Sequence, residues 1–448
     1  MRRRRLGIRI VRHWQGKLAV LLVLAATLAL SSVIAALFWE PANIVSLSVL
    51  ALSVGLFLPF CLTSQRYQPA FWLGAALLAA LVLAHVGFVR KSGTPMNLNM
   101  ILSYFPGLIF IPLLRSKVSI DRSLRYLVWL SAAYILFYVL GYDRIVMAAT
   151  EAGSNVVKGG DLDRGVRLFF APAFAAFLFF FMLEWRRGNL LVRLAFMAAA
   201  VAALWISDYR TFMAIFVLIA ALRLLRLLNP LTRLLIFAVV AGGYGMLLAG
   251  LYLPDWEPFA LFDDDGSGFA RLLAYRHITP FLQDHWLLGV GIAGSNASLQ
   301  HYLHTPTHYS VYPTDLGPIG PLFVFGIGGL LLYVLLTYLM IVKRLPYRIA
   351  ALWPERAALH LTAMVCGIAG IISPSFLLET NSFIPALMIA GWLQLRRVQP
   401  GKRLFYRRWG VSTRKNAPLA PPEGARSTPP PEPHISPALS PNDKEKAL

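Results

Sequence analysis

Cysteine is nearly absent from this chain: two in 448 residues, Cys61 and Cys366, both inside apolar blocks and neither in a C-x-x-C or metal-ligand spacing. That excludes a disulfide framework and a cysteine-based zinc site. Charge is the second scarcity. Asp, Glu, Lys and Arg make up 14% of the residues while 57% are hydrophobic, against roughly 25% charged in an ordinary globular chain. Acidic residues are scarcer still, 21 against 42 Lys and Arg, for a formal net charge of +21. This composition excludes a soluble cytoplasmic enzyme. A disordered or basic nucleic-acid-binding chain is excluded too, because the apolar residues fall in blocks of about 18 to 25, the length that crosses a bilayer's hydrocarbon core. Phosphate-loop, G-x-S-x-G and H-E-x-x-H patterns are absent.

What is present reads as an all-α polytopic integral membrane protein of about twelve transmembrane helices. The blocks lie near 18–38, 43–62, 70–89, 97–114, 124–141, 166–183, 190–206, 211–225, 231–252, 317–342, 357–376 and 381–395. Residues 1–17 form a basic inner N-terminus with Arg2, Arg3, Arg4, Arg5, Arg9, Arg12 and Lys17. The block after it is too long for a cleaved signal core and is read as a retained helix. Helices one to nine fill 18–252, with an outer loop at 142–165. A large outer loop spans 253–316, and the last three helices fill 317–395. The inner tail, 396–448, starts basic and aromatic and becomes proline-rich and disordered. With the N-terminus inside, most Lys and Arg fall on inner segments, so the net charge is a topology signal. It implies no nucleic-acid partner, and an inner face that favours anionic lipid. No internal repeat is evident, which disfavours inverted-repeat transporters.

Arginines on the outer segments run against this bias: Arg90, Arg144, Arg164, Arg167, Arg210, Arg271 and Arg276, with Lys91 and Lys158. For Arg90, Lys91 and Arg144 ordinary loop salt bridges are the favoured reading. Arg210 differs, because it opens a helix from a three-residue turn and sits at the membrane boundary, where an arginine needs a counter-charge. Five of the nine histidines, His277, His285, His301, His304 and His308, fall in the large outer loop, where a histidine can act as general base. Those at 301, 304 and 308 would share a helical face but for Pro306. No carboxylate or cysteine completes a metal set, so no metal is expected. His277 and His285 read as surface or capping residues. Asp263-Asp264-Asp265 reads as a solvated turn, since its flanks match no calcium loop. Gly289-x-Gly291-x-x-Gly294 fits a dinucleotide fingerprint but has no βαβ unit around it.

The stretch GFARLLAYRHITPFLQDHWLLGVG, followed by HYSVYPTDLGPIGPLFVFGIGG, resembles the shared C-terminal region of the bacterial O-antigen polymerase and O-antigen ligase superfamily. The match supplies Arg271, Gly289, Gly291, His308, Gly317 and Gly320. Asp208-Tyr209-Arg210-Thr211 is similar to that family's arginine-bearing helix start. Tyr309 follows His308 where the family usually has Asn, and the interval to Gly317 is short, so His301 and His304 remain alternative counterparts. The resemblance implies a GT-C-like membrane glycosyltransferase in the bacterial inner membrane, with both termini cytoplasmic and the active site facing the periplasm. It implies an undecaprenyl-diphosphate-linked glycan donor, a glycan or lipid-linked acceptor, and no cofactor. A chain-length regulator and a flippase are implied partners. Arg210, Arg271 and His308 are then the expected catalytic residues, with Arg276, Arg167, Arg164, His304 and His301 assisting at the substrate. An arginine-bearing first outer loop leans toward polymerase. The rivals are a ligase, a peptidoglycan polymerase, a polysaccharide flippase or transporter, and a non-catalytic scaffold.

Overall fold

The computed structural model describes residues 2–30, 41–62, 67–93, 101–116, 118–151, 157–158, 167–168, 171–207, 209–253, 256, 266–292, 316–345, 353–373 and 380–395. They are helical, apart from turns and one two-residue antiparallel pair. The helices are α1 (Arg2–Leu30), α2 (Pro41–Leu62), α3 (Gln68–Ser92), α4 (Phe110–Arg115), α5 (Ile120–Glu151), α6 (Pro172–Glu184) and α7 (Leu190–Ile206). They continue as α8 (Arg210–Leu224), α9 (Pro230–Ala249), α10 (Gly266–His285), α11 (Ile319–Ile341), α12 (Pro354–Ala369) and α13 (Phe383–Leu395). Among the described residues, five segments are long and apolar enough to cross a membrane: Ile44–Leu62, Gln68–Lys91, Ile120–Arg144, Pro230–Ala249 and Ile319–Ile341. The chain is an α-helical membrane protein. Its lateral surface agrees with that: Leu83, Leu191, Trp205 and Val239 are each 70% exposed or more, which in water would be an aggregation surface and in lipid is solvation.

Several element boundaries depart from the apolar blocks, each for a local reason. Prolines divide the fourth block, where Pro106 sits in a 3-10 turn over Phe105–Leu108 and Pro112 lies in the first turn of the short α4. Helix α5 runs on to Glu151, through the charged Asp143 and Arg144 that read as the start of a loop. Beyond it Val157 pairs with Leu168 and Lys158 with Arg167, and α6 starts at Pro172 in its first turn, where a missing N–H costs nothing.

Helix α12 is the centre. Every residue from Pro354 to Gly367 is buried, so it is enclosed on all sides as only a core helix can be. At the end of the bundle where α12 begins, ion pairs join helices that are far apart in sequence. Arg356 grips Asp121 of α5 through two bonds, Nε to Oδ1 at 2.6 Å and Nη2 to Oδ2 at 2.8 Å. Its guanidinium lies 4.0 Å from the centre of the Trp353 ring. Arg125 pairs with Glu355 at 3.1 Å, and Arg223 of α8 pairs with the buried Glu184 that ends α6. The Gln394 side chain of α13 accepts from Ile120 N at 2.7 Å and donates to the Leu113 and Val118 carbonyls. Arg233 of α9 donates to the Val342 carbonyl at the end of α11. These contacts fill the backbone and charge requirements of helix ends that would otherwise be buried unpaired.

The two carboxylate–arginine pairs on α12 should differ sharply in worth. Asp121→Ala leaves Arg356 buried without its counter-charge and is expected to cost about 3–5 kcal/mol. Arg125→Ala breaks a pair whose arginine side chain is 42% exposed and is expected to cost less than about 1 kcal/mol. Denaturant unfolding of the purified protein in detergent, followed by tryptophan fluorescence, measures both.

Candidate functional site

The opposite end of the bundle is built differently. Helix α9 starts at the ion-paired end, and its 20 residues carry the chain about 30 Å to Leu247 and Leu251, where α10 is fastened. Tyr275 donates from its hydroxyl to the Leu247 carbonyl at 3.2 Å, and Gln283 Nε2 reaches the Leu251 carbonyl at 3.5 Å. Leu272, Ala274, Tyr275, Ile278 and Leu282 form the buried face of α10. Arg271 is half-buried beside that face and Arg276 is exposed. Pro280 has no N–H to return to the Arg276 carbonyl, which opens the helix at that turn. His277 packs its ring edge-on to Phe281 at 5.5 Å. His285 Nδ1 lies 3.0 Å from the Phe281 carbonyl in the last turn, a capping position.

Straight after α10 the chain enters the bundle as a strap. The Gly289 N–H closes on the His285 carbonyl at 2.7 Å, Val290 N–H donates to the Phe323 carbonyl at 2.6 Å, and Ile292 N–H reaches the Ala84 carbonyl of α3 at 3.4 Å. In return, Ile327 N–H donates to the Leu287 carbonyl at 3.3 Å. Lys91 Nζ, from the end of α3, donates to the Gly289 carbonyl at 3.1 Å. The expectation of a loop salt bridge for Lys91 thus gives way, among its described contacts, to a backbone carbonyl.

The strap explains why α11 is broken. The segment expected as a membrane helix near 317–342 is long and apolar enough to cross over Ile319–Ile341, but its helix is interrupted: Gly326 sits at φ 64°, ψ −155°, a region open essentially to glycine alone. The chain reverses there, so that a Cβ placed on Gly329 would lie 2.5 Å from the Pro321 carbonyl oxygen, eight residues back. A continuous helix would bond Ile327 N–H to the Phe323 carbonyl. The break frees that donor and that acceptor together, and Leu287 and Val290 take one each. Broken helices are tolerated at membrane depth where the freed groups are buried and paired in this way.

Gly289 and Gly291 of the LLGVG segment and Gly317 of LGPIG are therefore demanded by backbone approach. Gly289 and Gly291 have φ of 76° and 109°. A Cβ on Gly289 would sit 2.6 Å from Gly326 N and 2.7 Å from the Val324 oxygen, and one on Gly291 would sit 2.6 Å from Phe88 Cβ. Gly317, at φ 56°, donates its N–H to the Ile372 carbonyl at 2.9 Å. Gly289 and Gly291 of the dinucleotide-like spacing thus dock the chain on itself, and Gly294 lies outside the described residues.

Arg210 is the exposed first residue of α8. The other end of α8 holds Arg223 in the ion-paired end, so Arg210 stands about 20 Å away, at the same end as α10. Arg167 lies in the short antiparallel pair opposite Lys158. Arg164, His301, His304 and His308 lie outside the described residues. The structure thus brings Arg271 and Arg276 onto one anchored helix and puts Arg210 at the start of another at that end. Sequence reading missed the role of Lys91, whose only signal was being a cation on an outer segment. It also missed that His360, buried at 3% exposure, has no hydrogen-bond partner for either ring nitrogen among the described residues. No family model, curated protein or solved structure matches the chain.

Gly289→Ala should expel the strap while leaving the core. Val290→Cys, buried at 1%, is expected to react at least about tenfold faster with a water-soluble maleimide once Gly289→Ala is added. Native Cys366, also buried at 1%, should stay protected. Gly328→Ala, where a Cβ meets nothing within 4 Å, is the matched control and should leave labelling unchanged.

Proposed function

We propose that this chain is a polymerase-like glycosyltransferase that joins undecaprenyl-diphosphate-linked glycan repeats at the outer face of the bacterial inner membrane. In this reading about twelve helices span the bilayer, both termini are cytoplasmic, and α10 faces the periplasm. The observation that carries the reading is α10 itself. The first stretch that resembles the O-antigen polymerase and ligase superfamily, residues 268–291, is an arginine-bearing helix followed by the glycine strap that locks it into the bundle.

The chemistry asks little of the protein: hold the diphosphate, balance its charge as it leaves, and take a proton from the attacking hydroxyl. The acceptor oxygen attacks the anomeric carbon, the bond from that carbon to the diphosphate oxygen breaks, and the hydroxyl proton passes to His308. Arginine suits the diphosphate because its planar fork binds phosphate through two bonds and stays protonated. Arg210 and Arg271 take that role, with Arg276, Arg167 and Arg164 assisting and His301 or His304 as alternative bases. The energy resides in the lipid diphosphate leaving group.

A flippase or transporter is the second reading, and one observation favours it: α11 is discontinuous and folds back at Gly326, a feature of many transporter binding sites.

Surface-glycan banding in the native host, deleted for this chain and complemented with Arg271→Ala, Arg210→Ala or His308→Ala at matched expression, tests the proposal. Each substitution is expected to lower ladder formation by about 10²-fold or more. Single-repeat glycans without a ladder mean polymerase. Lipid-linked polymer accumulating off its acceptor means ligase, and an unflipped repeat held on the cytoplasmic side means transporter. An unchanged ladder in all three variants sinks the catalytic assignment.

A further inference from the structure

Two turns at the ion-paired end carry arginines that no described residue engages through its side chain. The first, Trp185 to Asn189, joins α6 to α7 and is held rigidly. Arg193 donates to the Met182 and Leu183 carbonyls at 2.8 and 3.3 Å, and the Asn189 side chain accepts from Leu191 N at 2.9 Å. Trp185 stacks on Phe181 at 5.6 Å and lies so close under Gly188 that a Cβ there would meet the ring at 2.7 Å. Arg186 and Arg187 stand exposed on this turn.

The second turn ends α8. Leu227 N–H bonds back to the Leu222 carbonyl at 2.9 Å, and Arg226 takes the left-handed position at φ 61°. Helix ends of this form normally place glycine there, and a side chain at that position costs stability that glycine does not. Among the described residues no other non-glycine residue has a positive φ. The Glu184–Arg223 pair ties the two turns together, since Arg186 and Arg187 lie two and three residues past Glu184 and Arg226 lies three past Arg223. None of the three arginines has a side-chain hydrogen bond or ion pair among the described residues. The carboxylate at the junction, Glu184, is buried and engaged.

Immediately beside these cations lie leucines with wide exposure: Leu191 at 75%, Leu225 at 67% and Leu224 at 64%. In a membrane protein leucines so exposed face acyl chains, which puts the arginines beside them at headgroup depth. A lipid with an anionic headgroup satisfies both, through phosphate-to-guanidinium bonds above and acyl chains below.

We propose that the paired turns are a binding site for an anionic phospholipid, its phosphodiester held by Arg186, Arg187 and Arg226 and its chains laid on the neighbouring leucines. The site is at the far end from α10 and stands independently of the glycosyl-transfer reading.

The test is the thermal midpoint of the full chain in nanodiscs of phosphatidylcholine, with and without phosphatidylglycerol. Phosphatidylglycerol is expected to raise the wild-type Tm by about 2 °C or more. The Arg186→Gln/Arg187→Gln variant should lose that increment. Arg226→Gly separates site from scaffold: relief of the left-handed strain should raise its Tm in phosphatidylcholine alone, while its gain from phosphatidylglycerol falls. A merely structural role for Arg226 moves both lipid conditions together. Three results each overturn the proposal: no increment in the wild type, the full increment retained in both variants, or an equal increment from inorganic phosphate added to phosphatidylcholine.

Discussion

A buried backbone donor or acceptor in a bilayer has no water to turn to, and this constraint organises the molecule. An unbroken helix meets it internally. Where α11 breaks at Gly326, the freed Ile327 N–H and Phe323 carbonyl are met by Leu287 and Val290 from a segment some 35 residues earlier. The break and the strap therefore depend on each other. Without the strap, α11 would hold two unpaired groups, each costing several kcal/mol in hydrocarbon; without the break, the strap would have nothing to bond.

The two ends of the bundle meet the same demand with different chemistry. At one end, charged and polar side chains do the joining: Arg356 with Asp121, Arg223 with Glu184, and Gln394 across three backbone groups. Side chains there are long enough to bridge helices whose backbones stay apart. At the other end the backbones themselves touch, which only glycine permits, at Gly289, Gly291, Gly317 and Gly326. The consequence is a division of labour. The carboxylates at the first end are consumed by structure, whereas at the second end the strap and the break in α11 are held together by peptide groups.

How much of this could be read from the sequence follows from range. The apolar blocks were legible because span length is a local property, and each block coincides with helix over most of its described residues. The course of α5 beyond 141 was not, because Asp143 and Arg144 look like loop punctuation until the helix is seen to carry them out of the apolar layer. The break in α11 was hidden as well: Gly326, Gly328 and Gly329 sit in an apolar run, where glycine is common in any membrane helix. Only the contact with Gly289 separates Gly326, at φ 64°, from Gly328, which faces open space. The ion pairs were beyond reach for a plainer reason, since Arg356 and Asp121 are 235 residues apart and nothing local marks them as partners. For the candidate site, α10 and its glycines were legible as a pattern, while the reason for the glycines was not.

Anchoring α10 through peptide groups has a mechanical effect on the arginines it carries. A helix held by side-chain packing shifts by fractions of an ångström when one residue is exchanged, because cores relax only partly. Here the chain at the C-terminal end of α10 is fixed by backbone bonds at Gly289, Val290, Leu287 and Ile292, and Lys91 adds a fifth point of attachment. Residues such as Trp286 and Leu288, both exposed, can vary without moving the anchor, whereas the glycines cannot. Phosphate recognition by a planar guanidinium is sensitive to displacement on the scale of 1 Å. In the proposed reading, a backbone anchor just past α10 steadies the helix that carries Arg271 and Arg276 while the surface around it remains free to change.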